Sequence, residues 1–210
     1  METHRRHGRA EVVAKAAHLL DEYGLADLTM RRLARELGVT PGALYWHFAD
    51  KQELLGAVAD RILEPTCHEP VDAPWAVRIV AIGSGLREAL LSSTDGAELV
   101  SATFASGTSQ ALRSILERLV KAAGDAGFVP TNAELAARTI VYYVLGFTAD
   151  EQSRLQWDAA GALPHEQSVL TSNPNARFTF GLRLLTDGMA ARQASDADDG
   201  VDPGIAVPAP

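Results

Sequence analysis

Tyr45, Trp46 and His47 stand together in the stretch LGVTPGALYWHFADKQELL, residues 37–55, just after a glycine- and proline-bearing turn sequence. Side chains of these types can fill a core, ligate a metal, move protons, or offer stacking and hydrogen-bonding surface to a partner. A metal role for His47 lacks companions, because no His, Cys or paired carboxylate stands at ligand spacing beside it. Cys67 and His68 are neighbours, but adjacent residues on a helix point apart by about 100°, which separates a nucleophile from its base. No paired carboxylates, Ser–His arrangement or glycine-rich phosphate loop has useful spacing, so no catalytic residue, metal or cofactor is expected. A helical enzyme, or a small-molecule-binding protein without any nucleic-acid role, remains the alternative class.

The elements that position these residues come from a chain of 210 residues with 47% hydrophobic content, enough for a core without metals or disulfides. One cysteine, Cys67, excludes an internal disulfide framework and points to a reducing compartment. No run has the length of a membrane span and the N-terminus lacks an apolar signal core, so a cytoplasmic location off the membrane is expected. The net charge of −8 is unevenly spread: residues 1–64 carry nine Lys/Arg against ten Asp/Glu, and the remainder carries ten against seventeen. Arg5, Arg6 and Arg9 face only Glu2 within the first nine residues, while Asp196, Asp198, Asp199 and Asp202 gather in the tail. A near-neutral N-terminal region can therefore keep one basic face.

Helix-spaced apolar residues recur along the chain and strand signals are nearly absent, so the expected fold is all-α. A first helix spans about Gly8 to Tyr23, with Gly24 as its stop; a second begins near Thr29, buries Leu33, Ala34 and Leu37, and stops at Gly38. Thr40–Pro41 restarts the chain as a third helix, and Asp50 with Glu53 opens a fourth with a capping-box pattern. Later helices are marked by Ile79, Ile82, Leu86 and Leu90, by residues 94–105, and by Leu112, Ile115, Leu116, Leu119 and Ala123. Thr131 with Glu134 is a further capping box, opening a helix past Leu155. Residues 140–147, IVYYVLGF, suit either a buried strand or a helix apolar on nearly all sides; the absence of bounding turns favours the helix. Residues 157–175 read as a loop, Phe178, Leu182, Leu185 and Met189 space a last helix, and a disordered tail starts at Ser195.

Two short helices separated by Gly-Val-Thr form a helix-turn-helix, whose second helix turns its exposed face to a DNA major groove. Leu44 and Phe48 (i, i+4) then face inward, Tyr45 and His47 outward, and Trp46 lies at the margin. Plain packing of Tyr-Trp-His is the competing reading.

The stretch LTMRRLARELGVTPGALYWHFADKQELL resembles the N-terminal domain of the tetracycline repressor (TetR) family of one-component transcriptional regulators. DGAELVSATF, VLGFTADEQ and FTFGLRLLTDGM resemble, more weakly, the C-terminal part of the family's tetracycline-responsive members. The resemblance implies an all-helical homodimer whose N-terminal helix-turn-helix domain (residues 1–50) binds double-stranded operator DNA. A connecting helix (51–70) would join it to a ligand-binding and dimerisation domain (71–194), followed by an acidic tail (195–210). It implies a regulator, by the family's default a repressor, released from a palindromic operator by a small hydrophobic effector.

Carried over by position, the resemblance makes Arg31 a base or phosphate contact and puts Thr40, Pro41, Gly42 and Ala43 at the base-facing helix start. Tyr45, Trp46, His47 and Lys51 match backbone-contacting positions. Where the tetracycline-responsive relatives use histidines for metal and drug, this chain has Val100 and Cys67. Valine cannot ligate Mg²⁺, so a magnesium–tetracycline chelate held in that manner is not expected. The implied pocket is lined by Leu63, Cys67, Leu86, Val100, Thr103, Phe104, Leu116 and Phe147, with Asp150 near an acidic position. The apolar faces Ile140, Tyr143, Val144 and Phe147, and Phe178, Leu182, Leu185 and Met189, are expected to build a two-fold interface as a four-helix bundle.

Overall fold

The computed structural model describes residues 7–67, 72–162 and 173–199, and among these residues every regular element is helical. The helices are α1 (Arg9–Asp27), α2 (Met30–Leu37), α3 (Pro41–Leu44), α4 (Lys51–Leu63), α5 (Trp75–Leu91), α6 (Gly96–Ser106), α7 (Gln110–Asp125), α8 (Pro130–Ala159) and α9 (Pro174–Asp199), with a 3₁₀ turn at Glu64–Cys67 after α4. Arg5, Arg6, His68 and Asp202 lie outside the described residues.

Local chemistry sets the N-terminal boundaries. Gly24 takes φ +77°, interrupting α1 where the sequence placed its stop. Thr29 Oγ1 accepts from the Arg32 backbone N–H at 3.1 Å and starts α2. Gly38 ends α2 at φ +67°, a left-handed conformation that L side chains rarely adopt. Asp50 Oδ1 accepts from Glu53 N–H at 2.8 Å. The reciprocal arm lands one residue earlier than a regular capping box, on Ala49 N–H at 2.7 Å from Glu53 Oε2.

Further along, four expectations need correction. The Thr131–Glu134 capping box does not form: Pro130 occupies the first turn of α8 with Val129 as N-cap, and Glu134 instead pairs with Arg138 at 2.9 Å. The 157–175 loop is shorter, because α8 runs to Ala159 and α9 starts at Pro174. Ser195–Asp199 continue α9 rather than starting a disordered tail. Helix α3 is regular only over Pro41–Leu44, so Phe48, read as the i, i+4 partner of Leu44 on one helix, lies beyond its end.

Residues 140–147 lie inside α8. One continuous apolar core runs from Val12, Leu19, Leu33, Leu44 and Phe48 through Leu54, Leu55, Val58 and Leu63 of α4 to Ile79, Leu86, Val100, Leu119, Val144 and Leu182. The fourth helix thus belongs to both halves. Polar ties reinforce the junction: Leu25 N–H donates to Asp95 Oδ2 at 2.9 Å, and Gln156 Nε2 donates to Asp95 Oδ1 at 2.8 Å. Deeper in the larger half, Arg87 donates through Nε and Nη2 to Glu151 at 2.8 and 2.6 Å and through Nη1 to Asn175 Oδ1 at 2.9 Å. The pair is almost wholly buried, at 8% and 7% side-chain exposure, and fastens α5 to α8 and α9.

Candidate nucleic-acid interface and ligand cavity

The helix-turn-helix is built by Leu33, Ala34, Leu44 and Phe48, all buried, which hold α2 against the segment from Pro41 to Phe48. After Leu44 the chain tightens: His47 N–H donates to Leu44 O at 2.9 Å, an i to i−3 bond, while Phe48 N–H reaches the same oxygen at 3.1 Å. This tightening turns Trp46 fully outward, at 90% exposure, whereas the sequence placed it at the margin. Tyr45 is 52% exposed and His47 is half-buried.

Arg31, Thr40, Pro41 and Gly42 are exposed, and Ala43 and Lys51 half-buried. The nine residues singled out in the N-terminal part therefore form no part of the fully buried core. Among the described residues, neither Arg31 nor Lys51 has a carboxylate partner. Arg9 is spent locally, on Glu53 at 3.3 Å and over the Phe48 ring at 4.6 Å.

A cavity of about 170 Å³ opens between α6, α7 and α8, lined by Thr103, Phe104, Gly107, Ser109, Leu112, Arg113, Leu116 and Arg138. Thr103, Phe104 and Leu116 of the expected ligand set share its wall. Leu63, Leu86 and Val100 are fully buried core residues away from that wall. The Cys67 side chain lies outside the described atoms. Asp150 pairs with Arg154 at 2.8 Å. A wider concavity of about 630 Å³ between α6 and α8 carries the carboxylates Asp95 and Glu98 and contains none of the expected ligand residues.

Ser109, Arg113 and Arg138 were missed in the sequence. Ser109 is legible as the N-cap of α7, where its Oγ accepts from Leu112 N–H at 3.1 Å. Its second role is not legible: Ser109 Oγ donates to Asp60 Oδ1 of α4 at 2.7 Å, and Ala111 N–H donates to the same oxygen at 2.9 Å. Beside it Gly56 of α4 lies so close to the α6–α7 turn that a Cβ would sit 2.6 Å from Thr108 O. One wall of the cavity is thereby the docking site of the helix that follows the helix-turn-helix.

The residues expected at a two-fold interface are largely consumed by the chain itself. Ile140, Val144, Phe178, Leu182 and Met189 are buried within the single chain. Tyr143, Phe147 and Leu185 pack half-buried against them. Phe178 meets Tyr143 at 5.6 Å and Phe147 at 5.4 Å between ring centroids, and Tyr143 Oη donates to Phe178 O at 2.8 Å. Burial raises the Tyr143 phenol above its usual range. Among the described residues of α9, the large apolar side chains left outside are Phe180 and Leu184, at 64% and 57% exposure.

Residues 12–58 match the model of the bacterial regulatory proteins of the tetR family, and residues 69–172 match the tetracyclin repressor-like C-terminal domain. The chain is 32% identical to the class A tetracycline repressor protein of transposon 1721 from Escherichia coli, over 87% of this chain and 90% of that protein. It is similar to the crystal structure of Mycobacterium smegmatis BioQ (56% identity, TM-score 0.80, 88% and 99% of the two chains). BioQ with its natural double-stranded DNA operator matches at 55% identity and TM-score 0.78 over the same shares. A TetR variant from Acinetobacter baumannii AYE in complex with minocycline matches at 31% identity and TM-score 0.72, over 89% and 98%.

Proposed function

The chain belongs to the tetR family of bacterial regulatory proteins, and on that premise we propose that it is a DNA-binding transcriptional repressor released from its operator by a small molecule. The observation that carries this reading is the outward face of residues 40–51. Trp46 and Tyr45 stand in solvent at 90% and 52% exposure with no folding role that needs them there. Exposed aromatic side chains and unpaired cations suit a phosphate backbone, while Pro41, Gly42 and Ala43, which lack hydrogen-bonding side chains, leave direct base readout sparse. The BioQ–operator and TetR–minocycline complexes support operator DNA and a small effector as partners.

We assign residues 1–50 to the DNA-reading head, 51–70 to the connection and 71–194 to effector binding and dimerisation. The protein works as a homodimer through the outer face of α8 and α9, with Phe180 and Leu184 meeting their copies, because two exposed apolar residues at i, i+4 make a ready helix–helix seam. The effector enters the cavity of α6, α7 and α8. Because Ser109 and Gly107 wall that cavity and the same turn docks α4, occupancy shifts α4 and respaces the heads. Fluorescence anisotropy on selected duplex DNA tests the reading: wild type binds tightly and loses affinity steeply with salt, and a protein that binds no duplex overturns it.

A further inference from the structure

We propose that the cavity between α6, α7 and α8 takes a compact organic acid whose carboxylate is received by Arg113 and Arg138. The proposal rests on reading this cavity as the effector site. Its wall carries two guanidinium groups and no carboxylate. The hydroxyl protons on the wall are already committed, Thr103 Oγ1 to Val100 O at 2.8 Å and Ser109 Oγ to Asp60 at 2.7 Å. The strong donors left for a ligand are therefore the arginines. Arg113 gives one nitrogen, Nη2, to Gly107 O at 3.2 Å. Arg138 gives Nε and Nη2 to a single oxygen of Glu134 at 3.1 and 2.9 Å. Arg138 also faces the Tyr142 hydroxyl and lies 5.7 Å over the Phe104 ring; the remaining N–H groups of the two guanidiniums keep the fork geometry that receives planar anions.

Two carboxylates act against this field. Glu134 offsets part of the Arg138 charge while holding that guanidinium firmly protonated, and Asp60 reaches the wall only through Ser109. The net field on the wall still favours an anion and opposes a divalent metal chelate. Leu112, Leu116 and Phe104 give the remainder of the wall an apolar character. At about 170 Å³ the space is below the ~300–1,000 Å³ of drug-sized sites, so the acid has a short hydrocarbon body.

The test is calorimetric titration of the full-length protein with straight-chain carboxylates from butanoate to octanoate, and with 1-hexanol and hexylamine as uncharged and cationic counterparts of hexanoate. A carboxylate in the series binds, the alcohol binds roughly tenfold more weakly, and the amine does not bind. Arg113→Gln and Arg138→Gln each weaken the carboxylate by about tenfold and leave the alcohol unchanged. Equal binding of alcohol or amine, no binding by any carboxylate, or arginine variants that bind the acid like wild type would overturn the assignment. Operator binding measured on the same samples separates the two ideas: an acid that binds without loosening the operator complex contradicts the effector reading and leaves the acid site standing.

Discussion

Asp60 of α4 and Ser109 at the start of α7 share a 2.7 Å hydrogen bond across forty-nine residues of sequence, and Ala111 N–H completes the same carboxylate oxygen at 2.9 Å. Ser109 is buried and walls the cavity, while Asp60 rides on the helix that leads to the DNA-reading head. A single turn thus lines the cavity and holds α4.

If that turn sets the position of α4, crowding it should mimic the effector. In Gly56→Ala the new Cβ meets backbone at Thr108, 2.6 Å away, and backbone cannot rotate aside as a side-chain tip would. We predict operator affinity down by about tenfold or more, which corresponds to a 1.4 kcal/mol shift or greater, with the helical circular dichroism unchanged. Anisotropy with labelled operator checks it; wild-type affinity in a folded Gly56→Ala protein contradicts the coupling.

On the DNA face, Lys51→Ala and Tyr45→Ala should weaken binding to specific and unrelated duplexes alike. A phosphate contact carries no base information, so Lys51→Ala should lower the salt slope by about one. Unchanged affinity in both variants places the interface elsewhere.

The Arg87–Glu151 pair is a stability statement. Glu151→Leu removes the counter-charge of a guanidinium at 8% exposure and leaves it the neutral Asn175; breaking one side of a buried pair costs about 3–5 kcal/mol. The double variant Arg87→Met/Glu151→Leu should recover most of that loss. Urea unfolding of the three proteins decides it, and a Glu151→Leu protein as stable as wild type contradicts a stabilising role for the pair.

Dimerisation and folding should separate by position. Leu184→Glu, on an exposed side chain, should give a folded monomer in sedimentation experiments. Leu182→Ala, at a fully buried position, should cost about 2–5 kcal/mol of stability and keep the dimer. A monomeric wild type, or a dimeric Leu184→Glu, refutes the assigned seam.

Tetracycline with Mg²⁺ should not release the operator complex. Val100 is fully buried and offers no ligand atom, and the cavity wall is cationic. Metal-dependent release at micromolar drug, followed by anisotropy, would contradict this.

Much of the N-terminal part is legible in the sequence because its signals are local. Thr29, Gly38, Pro41 and Asp50 act within a turn of their own positions, and the structure uses each where the spacing puts it. Trp46 was misplaced because its orientation depends on whether α3 continues past Leu44, which propensity alone does not decide. The Thr131–Glu134 pattern is a sound start signal that lost to Pro130 one residue earlier, with Arg138 taking the glutamate at i, i+4. In α8, apolar nearly all round, periodicity cannot say which face the chain keeps for itself. Ile140 and Val144 went to its own core while Tyr142 stayed outside. Asp60–Ser109 and the two arginines on the cavity wall come from tertiary packing of distant segments, for which the sequence carries no periodic trace.

Selection of bound fragments from a random duplex library decides whether two copies of this repressor read one operator together. A two-headed repressor enriches an inverted repeat with half-sites about one helical turn apart, ~34–36 Å centre to centre, and loses that enrichment with Leu184→Glu. Enrichment of no sequence, or of a single half-site bound equally well by a monomer, would contradict that joint reading.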